Sequence, residues 1–154
     1  MRCSVTKFFC STAKKSQMVE RVKDYMYKND KLFELLDARI LEMKEGYAKV
    51  EMVVKKEHLN AANVCHGGII FSLADLAFAL ASNSHGKLAL AIEVSITYMK
   101  AAYEGEKLVA EAKEVNLGNK TATYLMEVKN SANKLIALAK GTVYRVNEDF
   151  PPTS

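Results

Sequence analysis

The chain has 154 residues, 49% of them apolar and 26% charged, a composition typical of one globular domain with a hydrophobic core. Its formal charge of +4 lies in residues 1–17, which carry four basic side chains and no acid, because removing these four from the 22 basic residues leaves 18, against 18 acidic ones. The rest of the chain therefore lacks the basic excess of a nucleic-acid-binding domain, and no apolar run approaches the ~20 residues of a membrane-spanning helix.

Residues 1–17 also differ from the rest in composition, since they are rich in Ser, Thr, Cys and Lys and offer little but Phe8 and Phe9 for burial. We interpret them as a disordered or non-native extension, with Met18 as the true start. A targeting presequence is the alternative, because such segments are basic and poor in acids. The segment lacks the continuous apolar stretch of a secretory signal.

The region from Met18 to Lys55 predicts two short helices followed by two strands. Apolar residues at helical spacing make 18–28 an amphipathic helix, and Asn29–Asp30 supplies a break and an N-cap. The sequence then predicts, in order, a short helix or turn within 31–40, a strand at 40–43, a turn at 44–46 and a strand with alternating polarity at 47–55.

The longest apolar segment is a helix that starts near Gly67 and ends by Gly86. A helix that is apolar all round must be covered on most sides, and one curved sheet covers only part of it. We therefore expect a second copy of the chain to cover the remainder.

Four further strands follow this helix. They are rich in Val, Ile, Thr and Tyr and cover 88–100, 107–116, 120–129 and 134–146. Because their links are short and turn-like, we predict an antiparallel meander. The whole pattern predicts an α+β fold with a single five- to six-stranded antiparallel sheet, in one domain at 18–148 with a tail at 149–154.

Asp75 lies in the middle of the apolar helix and is the first candidate for a functional residue. Its neighbours within one helical turn are Ser72, Ala79 and apolar side chains, with no cation. A carboxylate in such a setting loses hydration, so its pKa rises. A structural role, such as pairing with a lysine, is the alternative. Chains seldom keep a buried carboxylate without a partner or a task, so we favour a functional role.

Two glycines at the start of this helix, Gly67 and Gly68, predict a place for a developing negative charge. Amides of the first turn have no partner within the helix, glycine lets a ligand approach the backbone, and the helix dipole adds partial positive charge. Together these features suit an oxyanion. A tight turn or close packing is the alternative reason for the glycines.

The distance between Asp75 and the glycines at the helix start predicts that two chains build one site. Gly68 and Asp75 are seven residues apart, roughly 10 Å of helix rise, whereas a base and an oxyanion donor must both lie about 3 Å from the reacting atoms. If two such helices pack antiparallel about a two-fold axis, Asp75 of one chain faces Gly68 of the other. The chemistry and the uncovered helix thus both predict a dimer.

Three histidines and one asparagine have less specific signals. His66 either acts as a general base near neutral pH or fixes the turn before the helix. Asn60 either positions a water or a carbonyl or shapes its own turn. Both alternatives stay open for each residue. We predict that His58 and His85 are surface or loop residues.

The three cysteines, Cys3, Cys10 and Cys65, form neither a disulfide framework nor a metal-ligand pattern. A reducing, intracellular setting is the simplest interpretation. Cys65 precedes His66 directly, but adjacent side chains rarely point at each other. A buried structural cysteine is therefore favoured over a nucleophile.

The stretch HLNAANVCHGGIIFSLADLAFALASN, followed by SITYMKAAYEGEKLVAEA, NKTATYLMEV and ALAKGTVYR, resembles the hotdog-fold acyl-CoA thioesterases, most of all the phenylacetyl-CoA thioesterase (PaaI) type. The resemblance runs from about Ala38 to Arg145, and the pattern Asn–x5–His-Gly-Gly–x6–Asp is specific to this branch. It implies a long central helix wrapped by the sheet, dimers that commonly pair into tetramers, and an active site at the dimer interface.

Carried over by position, the resemblance implies a role for each candidate. Asp75 matches the catalytic carboxylate, either a general base acting on water or a nucleophile, and the Gly68 N–H matches the donor that polarises the thioester carbonyl. His66 and Asn60 match residues that orient the thioester or the water. The family binds coenzyme A along the subunit interface, which implies a substrate-binding set of Gly67, Asn119, Lys120 and Thr121.

We therefore expect a cytoplasmic homotetramer, built from dimers, that hydrolyses a small or medium acyl-CoA, aromatic groups included, without a metal or cofactor. The main alternative is a non-catalytic hotdog module that binds acyl-CoA. Asp75 argues against it, because binding alone does not need a desolvated carboxylate. An enoyl-thioester hydratase of the same fold would need a His–acid motif that this chain lacks, and a purely structural dimerisation domain is the plainest alternative.

Overall fold

The computed structural model describes the backbone of residues 5–152 and the side chains of residues 13–152. The elements in chain order are α1 (Val5–Asn29), α2 (Lys31–Leu36), β1 (Arg39–Lys44), β2 (Tyr47–Val53), a short 3-10 turn (Lys56–His58), α3 (Gly67–Asn83), β3 (Lys87–Tyr98), β4 (Lys107–Leu117), β5 (Thr121–Asn130) and β6 (Leu135–Asp149). In this part of the chain, no helix combines the length and apolar character needed to cross a membrane.

The six strands form one antiparallel sheet in the order β1-β2-β4-β5-β6-β3, and α3 contacts all six. Alternate residues of each central strand point toward the helix, which gives β5 the buried series Ala122, Tyr124, Met126 and Val128. The predicted α+β architecture, a long helix against a six-stranded sheet, is confirmed.

One face of α3 is fully buried against the sheet, and a glycine lets β6 pass close to it. Leu73, Ala77 and Leu80 are fully buried on the helix. Gly141 of β6 faces Phe78, and a Cβ at this glycine would lie 2.6 Å from Phe78 Cζ, far inside van der Waals contact. A glycine is therefore needed where β6 passes the helix.

The predicted meander is wrong at one place, because β3 pairs with β6 and not with β4. The segment 99–106 is no hairpin loop. It crosses from the edge of the sheet toward its centre and bonds on the way to other elements: Cys65 N–H donates to Ala102 C=O (2.8 Å), and Val54 N–H donates to Glu106 C=O (2.9 Å). Strand β3 therefore lies at an outer edge, with one side unpaired by its own chain.

The first helix is longer than predicted. It runs from Val5 through Asn29 and passes the expected start at Met18 without a break, so the described part of residues 1–17 is helical and not irregular. The amphipathic pattern is confirmed, since Val19, Val22 and Met26 are buried. A non-native or targeting origin of residues 1–17 stays a prediction, and residues 1–4 lie outside the described range.

At the other end of the chain, β6 extends to Asp149, three residues beyond the predicted strand end at Val146. The following Phe150 packs its ring edge against Tyr25 of α1, with centroids 5.3 Å apart. The start of the predicted tail is therefore part of the fold, and residues 153–154 lie outside the described range.

Candidate active site

The first turn of α3 is capped by the side chain of His66. This residue has extended backbone angles (φ −61°, ψ 135°), and its Nδ1 accepts a 3.0 Å hydrogen bond from the Gly68 N–H. Because Nδ1 accepts, the neutral ring carries its proton on Nε2. His66 C=O accepts from the N–H groups of Ile69 (2.9 Å) and Ile70 (3.2 Å).

These bonds leave one amide of the first turn available. Among residues 5–152, no acceptor is found for the Gly67 N–H. The sequence pointed to Gly68 as the oxyanion donor, but the Gly68 N–H is already used by the His66 cap. The amide that is ready to meet a ligand is therefore that of Gly67.

A cavity of about 320 Å³ lies beside Gly67. It is formed by the loop before α3, the first turn of the helix and the end of β3. Its lining is apolar except for Lys100 and the Tyr98 hydroxyl: Val64, Cys65, Gly67, Ile70, Tyr98, Met99, Lys100 and Ala101. A cavity of this composition suits an acyl group next to a backbone donor.

Asp75 lies two turns further along α3, in a narrow strip of the helix that the rest of the chain leaves partly exposed. We call this strip, which consists of Phe71, Ser72, Asp75 and Ala79, the α3 stripe; every other residue from Ile70 to Asn83 is buried. The positions recur at helical spacing and so share one side of the helix.

The carboxylate of Asp75 has no local compensation. Among the residues whose side chains are described, none donates a hydrogen bond or an ion pair to it, and Ser72 donates its hydroxyl to Gly68 C=O (2.8 Å) instead. Burial raises the pKa of Asp75, and the nearby Asp30 carboxylate raises it further. The sequence expectation of a desolvated, unpaired carboxylate matches this environment, and a raised pKa makes the ionised carboxylate a stronger base than an ordinary aspartate.

Asn60 shapes the loop before α3 and keeps a donor free. Its Oδ1 accepts from the N–H of Ala62 (2.9 Å) and, more weakly, of Val64 (3.4 Å). Within the described part of the chain, its Nδ2 has no acceptor. Both alternatives for Asn60 therefore remain compatible with its position.

The sequence predicted that His58 and His85 are surface or loop residues: both lie in turns, His58 in the 3-10 turn and His85 after α3, but neither side chain is exposed. His58 is only 4% exposed, its Nδ1 accepts from Lys55 N–H, and burial lowers its pKa. The side chain of His85, at the end of α3, lies between Glu45 (3.2 Å) and Glu114 (2.5 Å) and is 9% exposed. Single polar residues in loops show no periodicity, so their burial could not be predicted.

Cys65 is buried, as predicted, and burial raises the pKa of its thiol to about 11. Its thiol therefore stays protonated near neutral pH, which argues against a nucleophilic role. In the described part of the chain, no three His, Cys, Asp or Glu side chains form a group that could hold a metal ion.

Three of the predicted substrate-binding residues, Asn119, Lys120 and Thr121, lie at the far end of β3 from Gly67. Asn119 and Lys120, with Lys87 and Arg145, line a second cavity of about 390 Å³. Arg145 Nη1 donates to Gly118 C=O (2.7 Å), and its Nε is buried without an acceptor among the described residues. Thr121 is exposed at the start of β5 beside this cavity. The region is basic and suits an anion.

A family model described as the thioesterase superfamily matches residues 62–137. A relative from Escherichia coli (strain K12), named acyl-coenzyme A thioesterase PaaI, is 40% identical over 121 residues, which cover 79% of this chain and 86% of the relative. The chain belongs to the thioesterase superfamily. The predicted thioester hydrolase and the resemblance to the PaaI type are thereby confirmed.

Solved structures agree with this assignment. The thioesterase described here is similar to the E. coli PaaI protein with a TM-score of 0.85 and 36% identity, covering 87% of this chain and 97% of that one. It is also similar to a Streptococcus mutans protein solved bound to acetyl CoA, with a TM-score of 0.69 and 28% identity, covering 71% of this chain and 88% of that one.

Proposed function

We propose that this thioesterase hydrolyses acyl-CoA to a free acid and CoA at a site that two copies of the chain build together. The observation that carries the proposal is the uncompensated carboxylate of Asp75, held in the α3 stripe that its own chain leaves uncovered. The E. coli relative is named an acyl-coenzyme A thioesterase, and the S. mutans structure contains acetyl CoA, which supports the substrate class.

One chain cannot complete the site alone. Gly67 and Asp75 are eight residues apart on one straight helix, roughly 12 Å of rise, so they cannot both touch one thioester. A two-fold axis that packs the α3 stripes of two copies against each other brings Asp75 of one copy to Gly67 of the other. The same packing covers the exposed part of Phe71.

The edges of the sheet suggest how the two copies pair. Strand β1 carries Arg39, Glu42 and Lys44, and such charges on an edge strand disfavour pairing with another chain. Strand β3 is twelve residues long and has Glu93 as its only charged residue after Lys87. Its exposed apolar residues include Leu90, Ile92 and Tyr98. An antiparallel partner β3 would satisfy this edge and continue the sheet across the two-fold axis.

In the proposed reaction, Asp75 of one copy accepts a proton from water as the water oxygen attacks the thioester carbonyl carbon. The carbonyl oxygen becomes an oxyanion and accepts a hydrogen bond from the Gly67 N–H of the other copy. The C–S bond then breaks, CoA leaves as a thiolate, and the proton passes to its sulfur. Direct attack by the Asp75 carboxylate, followed by hydrolysis of the anhydride, is the alternative.

Two residues support these steps. The His66 cap fixes the first turn of α3, and its Nε2–H is available as a further donor. Asn60 Nδ2 is available to hold the water or the carbonyl. We propose no metal and no cofactor, because a base and an oxyanion donor suffice for a reactive thioester. The base contributes about two to four decades in rate and the donor about two to three.

The basic cavity is proposed to bind the CoA phosphates. Strand β3 spans roughly 35 Å, with Lys87 at one end and the Gly67 cavity at the other. Antiparallel pairing of two β3 strands places the basic cavity of one copy beside the Gly67 cavity of the other. Lys120, Arg145 and Lys87 would then meet the phosphates, with Asn119 and Thr121 on the same turn.

The apolar cavity suits a small or medium acyl group, aromatic groups included. A pair of dimers forming a homotetramer in the cytoplasm remains part of the proposal. The rival is a module that binds acyl-CoA without hydrolysing it. The half-buried carboxylate of Asp75 argues against that rival, since an anion beside a neutral thioester adds no binding contact.

The test is thiol release from a panel of acyl-CoA esters. The Asp75→Asn variant keeps the shape and removes the base, so we expect kcat to fall at least about 100-fold. Asp24→Asn, an exposed aspartate on α1, is the matched control and should leave kcat unchanged. A wild-type protein that binds the esters without thiol release would favour the rival, and full activity of Asp75→Asn would contradict the mechanism.

A further inference from the structure

Tyr98 connects the end of β3 to the start of α3. Its hydroxyl donates a 2.9 Å hydrogen bond to Gly67 C=O. An ideal Cβ on Gly67 would lie 3.0 Å from Tyr98 Cζ, so the ring fills the space that a side chain at position 67 would need. The ring therefore restricts which residue fits at position 67, and the hydroxyl orients the carbonyl of Gly67. The reaction proposed above does not use this side chain.

Two consecutive peptide groups flank Gly67, and each has its own anchors. In the first, the C=O of His66 accepts from Ile69 and Ile70 at the helix start. In the second, Gly67 C=O accepts from Tyr98, and the Gly68 N–H donates to His66 Nδ1. A peptide group is planar, so anchors on its oxygen also fix its N–H. Together the anchors fix both backbone torsions of Gly67.

External anchors matter here because the backbone is intrinsically loose. Glycine populates more of φ/ψ space than any other residue, and two glycines occupy the first turn. Amides at a helix start have few intrahelical bonds to hold them. The carbonyl of Gly67 also accepts the i+4 bond of its own helix from the Phe71 N–H, and the Tyr98 hydroxyl adds a second anchor that comes from outside the helix.

The anchor itself comes from a rigid part of the sheet. Tyr98 pairs with Ala137 of β6, and the next residue, Met99, donates its N–H to Ile136 C=O (2.8 Å). The ring also lines the cavity beside Gly67. The hydroxyl is therefore held by a different element from the one it positions.

We infer that Tyr98 is a positioning residue for the oxyanion donor: its hydroxyl holds the Gly67–Gly68 peptide, which restricts the backbone torsions of Gly67 and so keeps the N–H of the preceding His66–Gly67 peptide in one direction toward the cavity. The inference rests on the proposed function, in which that N–H stabilises the oxyanion. Such donors accelerate a reaction when their direction is set before the charge develops. Tyr98 acts through Gly67 and does not touch the reacting atoms.

The first experiment compares kcat and KM of wild type and Tyr98→Phe, which removes only the hydroxyl. We expect kcat to fall about 3- to 10-fold, the effect of one neutral hydrogen bond, with KM unchanged. Tyr103→Phe is the matched control: this tyrosine lies in the segment after β3, is 56% exposed, and has no hydroxyl partner among the described residues. A rise in KM at constant kcat would mean that Tyr98 contacts the substrate and would overturn the inference.

A second experiment does not depend on activity. Amide hydrogen exchange, followed by NMR, reports how firmly the Gly67–Gly68 peptide is held. We expect the Gly68 amide to exchange at least about 3-fold faster in Tyr98→Phe and at the wild-type rate in Tyr103→Phe. Unchanged exchange at Gly68 would overturn the inference, whether or not the enzyme is active. If wild type hydrolyses no ester while Gly68 exchange rises as expected, the proposed function fails and the positioning role stands.

A double-mutant cycle tests whether the hydroxyl acts through Gly67. In Gly67→Ala the new Cβ pushes the Tyr98 ring away, so the hydroxyl bond is already weakened. Adding Tyr98→Phe should then change kcat less than about 2-fold. Full additivity of the two losses would contradict action through Gly67.

Discussion

At the scale of single residues, the site depends on a carboxylate that is kept in an unfavourable setting. Asp75 is half-buried, its neighbours in the α3 stripe offer it no donor, and Asp30 adds a second negative charge nearby. Each of these features favours the protonated form, whereas the proposed reaction needs the ionised one. The pH dependence of activity should therefore report this environment directly.

The first prediction concerns the acid limb of kcat/KM. Because burial and Asp30 hold the pKa of Asp75 above its ordinary value of 3.8, activity should decline at a pH above that value as the medium is acidified. Asp30→Asn removes the neighbouring charge and keeps a good N-cap for α2, whose Leu32 N–H bonds to Asp30.

We expect Asp30→Asn to move the acid limb toward lower pH and to leave the plateau at neutral pH unchanged. Asp24→Asn should move neither. The measurement is kcat/KM as a function of pH for the three proteins. A limb that stays in place would mean that Asp30 does not influence the catalytic carboxylate.

The second prediction is that Asp75→Asn makes the protein more stable near neutral pH. Folding raises the pKa of the Asp75 carboxyl. Its contribution to the free energy of unfolding is therefore fully present below the unfolded pKa and is lost as pH rises through the folded pKa. Ionised Asp75 therefore costs stability at neutral pH, by about 0.5–1 kcal/mol after allowance for solvent screening.

Urea unfolding of wild type and Asp75→Asn would measure this difference in the free energy of unfolding. It should shrink when both proteins are unfolded below pH 3.8, where the carboxyl is protonated in both states. Equal stability at neutral pH would show that Asp75 is compensated by a group of the assembled oligomer.

Not every residue of the site could be predicted from the sequence. Asp75 stood out because a helical pattern with one carboxylate has few structural explanations. The use of the Gly68 N–H could not be foreseen, because histidine is not among the strongly preferred N-cap residues and its rotamer is not encoded in the spacing. We therefore propose the Gly67 N–H as the oxyanion donor, whereas the sequence favoured the Gly68 N–H, which bonds to His66 Nδ1.

At the scale of elements, hydrophobic periodicity predicted the strands and the long helix to within three residues, but it could not predict which strands are neighbours. Strand β3 resembles the other strands in composition, and its segment 99–106 resembles a turn. Pairing depends on where that segment bonds, and the buried Ala102 at its middle is held by Cys65. Such contacts between distant residues leave no local pattern.

The position of β3 at the edge leads to the third prediction. Ile92 is 61% exposed on this edge strand, and a lysine there is the kind of residue that natural edges use to prevent pairing. Ile92→Lys should therefore weaken the dimer at least about 10-fold, because it buries a charge or removes apolar contact. Activity should fall in parallel with the loss of dimer.

The matched control is Leu41→Lys on β1, the opposite edge, where the residue is 49% exposed. Light scattering over a range of concentrations and thiol release at each concentration provide the measurements. If Leu41→Lys dissociates the protein and Ile92→Lys does not, the pairing edge has been assigned to the wrong side of the sheet.

At the scale of the whole molecule, the fold supports our proposal that two chains build one site. The sheet covers α3 on all but one strip, and that strip contains the carboxylate. The free N–H is on the same helix, two turns away. In the proposed dimer, the partner that covers the strip also supplies the donor, so burial of apolar surface and assembly of the site are one event.

This arrangement allows a complementation test with two inactive variants. Asp75→Asn removes the base. Gly67→Pro removes the donor, and proline suits the first position of a helix, since His66 before it already has extended angles. The Tyr98 ring must give way by a few tenths of an ångström to the new Cβ, which lies 3.0 Å from Cζ. Each variant alone should retain about 1% of wild-type kcat or less.

Mixing the two variants after dissociation and reassociation should restore activity. In a mixed dimer, one site combines both defects, while the other combines the intact Asp75 of one copy with the intact Gly67 of its partner. With equal amounts and random pairing, half of the dimers are mixed and half of their sites are intact, so about a quarter of wild-type activity should return. If the base and the donor of each site came from the same chain, every site in the mixture would carry one defect, and activity would stay at the level of the separate variants, about 1% of wild type or less.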